Sequence, residues 1–193
     1  MKKVCEQVLE DFPRYERLLL GRKGTRGAGI YVTDLKPSSN RWKVCRTRVE
    51  HGTERSEPIM LHTEVSCHEE KNFKFLLFAH DYMPVPLVNF DSQGATHRNA
   101  RNVPFPAQAV TTPHFNRYDS GGHRYAYKTA PLQDPAALAQ LAIVGNCIIH
   151  FYDEFNMHHD PAQYPSVYLS NPLLPELFAN PVNDDPLADV TQF

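Results

Sequence analysis

Asp91, His97, Asn99, His114, Asn116, Tyr118, His123, Arg124, Tyr127 and Lys128 all fall within one stretch, FDSQGATHRNARNVPFPAQAVTTPHFNRYDSGGHRYAYK, residues 90–128. No other part of the chain is so dense in groups that move protons or bind anions. Imidazole is the side chain that titrates nearest neutral pH, ordinarily at about 6.5. A pair of imidazoles can take the proton from a 2′-hydroxyl of RNA and protonate the leaving oxygen of the adjacent phosphodiester. His97 and His114 are the candidate acid–base pair, with Asn99 or Asn116 orienting one of them. Arg124, Lys128 or Arg98 could stabilise charge on a phosphorane, and Tyr118 or Tyr127 could donate a hydrogen bond or stack on a base. On this reading His97, His114, Tyr118 and Arg124 are catalytic candidates. Asp91, Asn99, Asn116, His123, Tyr127 and Lys128 are binding candidates.

Two other chemistries fit the same residue types. His97, His114 and His123 could converge with Asp91 on a divalent ion, as a metal-dependent hydrolase requires. A separate run, His150, His158, His159 and Asp160 with Glu154, lacks the H-E-x-x-H spacing that turns two helical imidazoles toward one metal. No metal is therefore assigned. The third chemistry is none at all: Asp, Asn and His side chains also fix loops as Asx-turns and caps. His97–Arg98–Asn99 would then be a structural lock, and the following hairpin a docking edge for another protein. Nothing demands an organic cofactor, because the chain has neither a dinucleotide fingerprint nor a P-loop.

Composition sets the frame. The 193 residues, 41% hydrophobic and 11% aromatic, suit one globular domain with an appended tail. A net charge of −2 gives no sign of a dedicated DNA-binding protein. The charge is nonetheless uneven: residues 1–50 hold twelve Lys/Arg against six Asp/Glu, whereas residues 129–193 hold eight acidic residues and no Lys or Arg. The four cysteines, Cys5, Cys45, Cys67 and Cys147, form no C-x-x-C pair and are expected to be free, mostly buried thiols. The sequence starts with no apolar leader and contains no apolar run of the roughly 18 residues a membrane span needs, so a cytoplasmic location with no membrane partner is expected.

The elements that must position the candidates can be read from periodicity. Val4, Val8, Phe12, Tyr15, Leu18 and Leu19 recur at helical spacing, with Pro13 expected to kink or split the helix and Gly21 to end it. GRKGTRGAG, residues 21–29, could offer N–H groups and positive charge to a phosphate, but reads more simply as a solvated connection. IYVTDL (30–35), RWKVCRTRVE (41–50), PIMLHTEVSC (58–67), FKFLLFAH (73–80) and PLVNFD (86–91) read as strands, with Trp42, Val44 and Val49 expected inward. A proline-punctuated loop, 98–113, leads to HFNRYD and HRYAYK, two strands joined around a Gly-Gly turn. In strands, His114, Asn116 and Tyr118 share one face, as do His123, Tyr125 and Tyr127. Residues 135–157 suit a second helix, though Gly145 and Ile148–Ile149 disfavour it. The expected fold class is α+β: a curved, mainly antiparallel sheet with an N-terminal helix and a second helix near 135–157, as one domain over 1–160. Prolines 161, 165, 172, 175, 181 and 186 make residues 161–193 an extended acidic tail with at most one helical turn, near PELFA. That tail could bind a partner protein.

The order L-V-x-F-D-x-x-G-x-x-H-x-N, then P-H-x-N-x-Y-D-x-G, resembles an uncharacterised family of small bacterial proteins over residues 86–128. Asp91, Gly94, His97, Asn99, Pro113, His114, Tyr118 and Gly121 match its pattern. Asn89 stands where that family tends to have Arg, Asn116 where it often has a second His, and residues 98–112 are longer than its usual spacer. The resemblance implies an accessory protein of a bacterial or phage toxin–antitoxin or defence-type module. With the histidines, the expected function is metal-independent RNA cleavage in such a setting. A regulatory module that docks a partner through its hairpin and acidic tail is the alternative.

Overall fold

The computed structural model describes residues 4–25, 29–99, 108–157 and 164–169. Its framework is one antiparallel sheet in the order β1 (Lys23–Thr25), β4 (Ser39–His51), β5 (Ile59–Ser66), β6 (Phe73–Ala79), β7 (Val88–Asp91), β10 (His114–Tyr118), β11 (Arg124–Tyr127), with β3 (Asp34–Lys36) also on β4. Two small ribbons flank it: β2 (Gly29–Val32) with β12 (Ser166–Leu169), which is parallel, and β8 (His97–Arg98) with β9 (Ala109–Val110). The α+β reading holds.

Alternation makes the sheet. In β6 Phe73, Phe75, Leu77 and Ala79 are fully buried, whereas Lys74, Leu76 and Phe78 point to the other face. The cross-strand register carries the same phase through Ile59, Leu61 and Val65 of β5, Val88 and Phe90 of β7, and Phe115 of β10. Helices cover this inner face. Val8 of α1 (Glu6–Glu10), Tyr15, Leu18 and Leu19 of α2 (Phe12–Leu20), and Cys147, Ile148 and Phe151 of α5 (Val144–Glu154) complete the core. Phe75, Phe90, Phe115, Phe151 and Phe155 form its centre, with ring centroids 5.0–6.2 Å apart in the contacting pairs.

The N-terminal helix is split as Pro13 suggested. Asp11 ends α1 and caps α2, its Oδ1 accepting from the Arg14 N–H at 3.0 Å. Cys5 is the N-cap of α1. Residues 135–157 are not one helix. After the short α3 (Ala130–Gln133) come α4 (Pro135–Leu141) and α5, bent by 109° at Ala142–Ile143. The buried face of α5 begins at Val144, while Ile143, its N-cap, is exposed. Among the described residues no single helix is long and apolar enough to cross a membrane.

Five further expectations need correction. Trp42 and Val44 lie opposite Ser66 and Glu64 on the outer face, because a period of two cannot bring Val49 and Val44 to one side of an unbroken strand. Residues 23–25 are not a solvated connection but the buried strand β1. There the Lys23 ammonium donates to the carbonyls of Leu19 (2.6 Å), Gly21 (2.6 Å) and Phe155 (2.9 Å), tying together the ends of α2 and α5. IYVTDL is interrupted at Thr33 and supplies two short strands, β2 and β3, to different sheets. All four cysteines are free, yet only Cys147 is buried. Ser166–Leu169, inside the region read as a tail, is strand β12 with Val167 and Leu169 against the core. PELFA lies outside the described residues.

Candidate functional site

The outer face of the sheet is where the sequence's polar residues meet. β6, β7 and β10 are adjacent, so their outward side chains form two rows across the strands. One row is Glu64, Lys74, Asp91 and His114; the next is His62, Leu76, Asn89 and Asn116. The apolar residues between them, Phe90 and Phe115, anchor the rows from the core side. Beside β10, the β8–β9 ribbon brings His97 over the end of the first row. A cleft of about 320 Å³ opens there, lined by Lys74, Asp91, His97, His114, Asn116 and Arg124 among others.

Asp91 organises the floor. Its Oδ2 accepts from Asn89 Nδ2 at 2.6 Å and from Asn116 Nδ2 at 3.1 Å, and its Oδ1 lies 3.4 Å from Lys74 Nζ. His114 Nε2 stands 3.9 Å from Oδ2, close enough to form an ion pair when the ring is protonated but too far for a hydrogen bond. The Arg124 guanidinium donates to Asn89 Oδ1, so Asn89 couples the carboxylate to the arginine. The His97 and His114 rings meet edge-on with centroids 6.1 Å apart.

His114 is 3% exposed. Burial pulls its pKa below the ordinary imidazole value, and the Asp91 charge and the Thr111 backbone oppose that shift. Its Nδ1 makes no hydrogen bond of good geometry within the protein, nor does Asn116 Oδ1, although Asn116 is 2% exposed. A buried polar atom left without a partner costs about 1–3 kcal/mol, and Thr63 Oγ1 of β5, away from the cleft, is another such atom.

The other candidates are placed elsewhere. Asn99 is the lock: its amide donates to the Ala126 carbonyl at 3.0 Å and accepts from the Ala126 N–H at 2.8 Å, fastening the β8 strand to β11. Tyr118 turns away, its ring edge-on to Tyr15 at 6.0 Å, and burial raises its phenol pKa. Tyr127 faces the core side, stacks on Phe115 and donates to Glu154 Oε1 at 2.8 Å. His123 sits in the hairpin turn, 3.5 Å from Asp119 Oδ1. Lys128 donates to Thr111 Oγ1 at 3.1 Å beside the cleft, near enough to act on His114 electrostatically. Neither Tyr118, Tyr127 nor His123 lines the cleft.

His97, His114 and His123 do not converge with Asp91 on a metal position, and among the described residues no three His, Cys, Asp or Glu side chains form a group that could hold a metal ion. His158, His159 and Asp160 lie outside the described residues. His150 meets Thr129 Oγ1 at 2.8 Å and Phe115 edge-on, on the core side.

Lys74 and Asn89 were absent from the sequence candidates. Lys74 carries a faint signal as the single cation within the apolar FKFLLFA, and Asn89 as the lone amide in LVNF. A larger recess, about 500 Å³, lies between Arg22, Lys23, Arg48, His51, Arg55 and Glu57. Its buried groups have structural tasks. Glu57 accepts from the Asp81 and Tyr82 N–H groups and from Arg14, and His51 bonds the Arg17 carbonyl and the Glu54 N–H. The His97–His114 cleft is therefore the better candidate for chemistry. Comparisons with family models, with curated proteins and with solved structures find no match to this chain.

Proposed function

We propose that the cleft is a metal-independent acid–base site that cleaves RNA. The observation that carries this reading is the pair His97 and His114, 6.1 Å apart in one cleft with Lys74 and Arg124. His114, with Asp91 behind it, takes the proton of the 2′-hydroxyl. The oxygen then attacks the adjacent phosphorus, and the more exposed His97 protonates the departing 5′-oxygen. Arg124 and Lys74 offset the charge that gathers on the phosphorane. The products are a 2′,3′-cyclic phosphate and a free 5′-hydroxyl. Such an activity suits an accessory protein of toxin–antitoxin or defence type, the setting implied by the resemblance over residues 86–128.

The test is product chemistry on an RNA with one 2′-deoxy position. The reading predicts cyclic-phosphate ends and no cut at the deoxy position. Cleavage there removes the 2′-hydroxyl mechanism.

A second reading, a partner-docking module without catalysis, draws support from Asn99 and Asp119. Both spend their side chains on backbone hydrogen bonds, Asp119 Oδ1 accepting from the Gly121 and His123 N–H groups at 2.9 and 2.8 Å. It leaves the His97–His114 pair without a task.

A further inference from the structure

The outer face of the sheet carries a second feature that the cleft does not use. His62 of β5 and Phe78 of β6 point outward, away from the core on the inner face. Their rings lie 4.5 Å apart, and His80 stacks on Phe78 at 4.9 Å with an interplanar angle of 16°. His62 and Phe78 are half-buried and His80 is exposed, so the patch presents aromatic surface to solvent. Burial and the neighbouring Arg46 lower the His62 pKa to about 4, which keeps this ring uncharged at neutral pH.

Charge surrounds the patch unevenly. Arg46 lies directly across from His62, and Arg48 is next but one along β4; both are exposed. On this face Glu64 is engaged by Lys36 at 2.6 Å and Asp91 by Lys74 and two amides, while Asp34 of β3 and Glu50 of β4 are exposed farther along it. Arg48 also borders the basic recess that holds Arg22 and Arg55. The row Arg46, His62, Leu76, Asn89, Asn116 leads straight across the sheet to the cleft. Three strand spacings separate His62 from Asn116, about 14 Å at ~4.8 Å per strand.

Aromatic rings flanked by cations are how proteins hold single-stranded nucleic acid, since every base has a face to stack and every linkage a charge. We propose that single-stranded RNA lies across this sheet face, with bases stacked on the His62–Phe78–His80 patch, phosphates on Arg46 and Arg48, and the strand continuing into the His97–His114 cleft. This rests on the cleft being the RNA-cleaving site, and it names the substrate as unpaired RNA. A duplex cannot offer its base faces to the patch.

The test is fluorescence anisotropy of the full chain carrying His97→Ala, with a labelled unstructured RNA of about a dozen nucleotides, a length that spans both sites. Binding should weaken as salt rises. Arg46→Glu with Arg48→Glu should weaken it at least tenfold and, because two phosphates are no longer neutralised, flatten the log–log salt slope by about 1.4. His80→Ala should weaken it several-fold, and a duplex of the same length should bind far less well. Thermal melting checks each variant's fold, and Arg46→Gln with Arg48→Gln replaces the charge reversal should that pair fail to fold. Unchanged affinity in the folded variants, equal binding of duplex, or no binding overturns the proposal. The two readings fail separately. RNA bound in this way by a wild-type chain that never cuts it supports the track and sinks the cleavage site. Cutting of a dinucleotide with no gain for longer RNA does the reverse.

Discussion

His114 and Asp91 face each other directly across neighbouring strands, with Nε2 3.9 Å from Oδ2, at the floor of a cleft whose wall is His97. The carboxylate is held by Asn89, Asn116 and Lys74, so it stays in place whatever the charge on the imidazole. Burial lowers the His114 pKa and Asp91 raises it. Asp91→Asn removes only the second effect. The His114 titration, followed by NMR of its ring protons, should move to lower pH in Asp91→Asn, and the acid limb of RNA cleavage should move with it. A titration that stays where it was would remove Asp91 from the account.

Asn99 fastens the end of the strand that carries His97 and does not line the cleft. Its two bonds to the Ala126 backbone are buried, so Asn99→Ala strands an N–H and a carbonyl and should cost about 1–3 kcal/mol of stability. Denaturant unfolding measures this. Asn99→Asp sets a carboxylate oxygen against the Ala126 carbonyl and buries a charge, so it should cost at least as much as Asn99→Ala. A variant as stable as the wild type would mean that the β8 strand is held by other contacts.

Acid should loosen the fold before carboxylates titrate. His62 titrates near 6.5 in an unfolded chain and at about 4 in the folded one, so between those values the unfolded state binds more protons. Stability is fully present above pH 6.5 and falls as the pH drops toward 4, by about 1–2 kcal/mol for a half-exposed ring. His51 acts in the same direction: burial lowers its pKa, and protonation would also end the bonds its Nδ1 accepts from the Thr53 and Glu54 N–H groups. His62→Phe keeps the stacking and removes one titration. Its Tm should therefore fall less steeply than the wild type's between pH 6.5 and 4, and parallel curves would refute the assignment.

The sheet was legible because its strands read as short apolar or alternating runs between turn residues. Within β6 only Lys74 marks the outward face, since Leu76 and Phe78 are apolar although burial alternates from Phe73 to Ala79. The same logic misled at β4, where Trp42 and Val44 look like core but share a face with Arg46 and Arg48. Only pairing with β5 fixes that phase. The bend at Ala142–Ile143 was hidden because the apolar pattern runs on through it. The site was half legible. That His114 and Asn116 share a face follows from strand periodicity alone. The meeting of His97 with His114 depends on the pairing of β8 with β9, and Lys74 enters only through the β6–β7 register. Tyr127 and Tyr118 were misplaced because a tyrosine reads equally well as a core ring or a site phenol, and tertiary packing decides.

The most direct measurement is cleavage of single-stranded RNA by the purified chain, with and without chelator, beside folded His97→Ala and His114→Ala. The account predicts cutting that survives chelator and falls about 10²–10⁴-fold in each variant. Cutting that the variants retain, or that chelator abolishes, would contradict it.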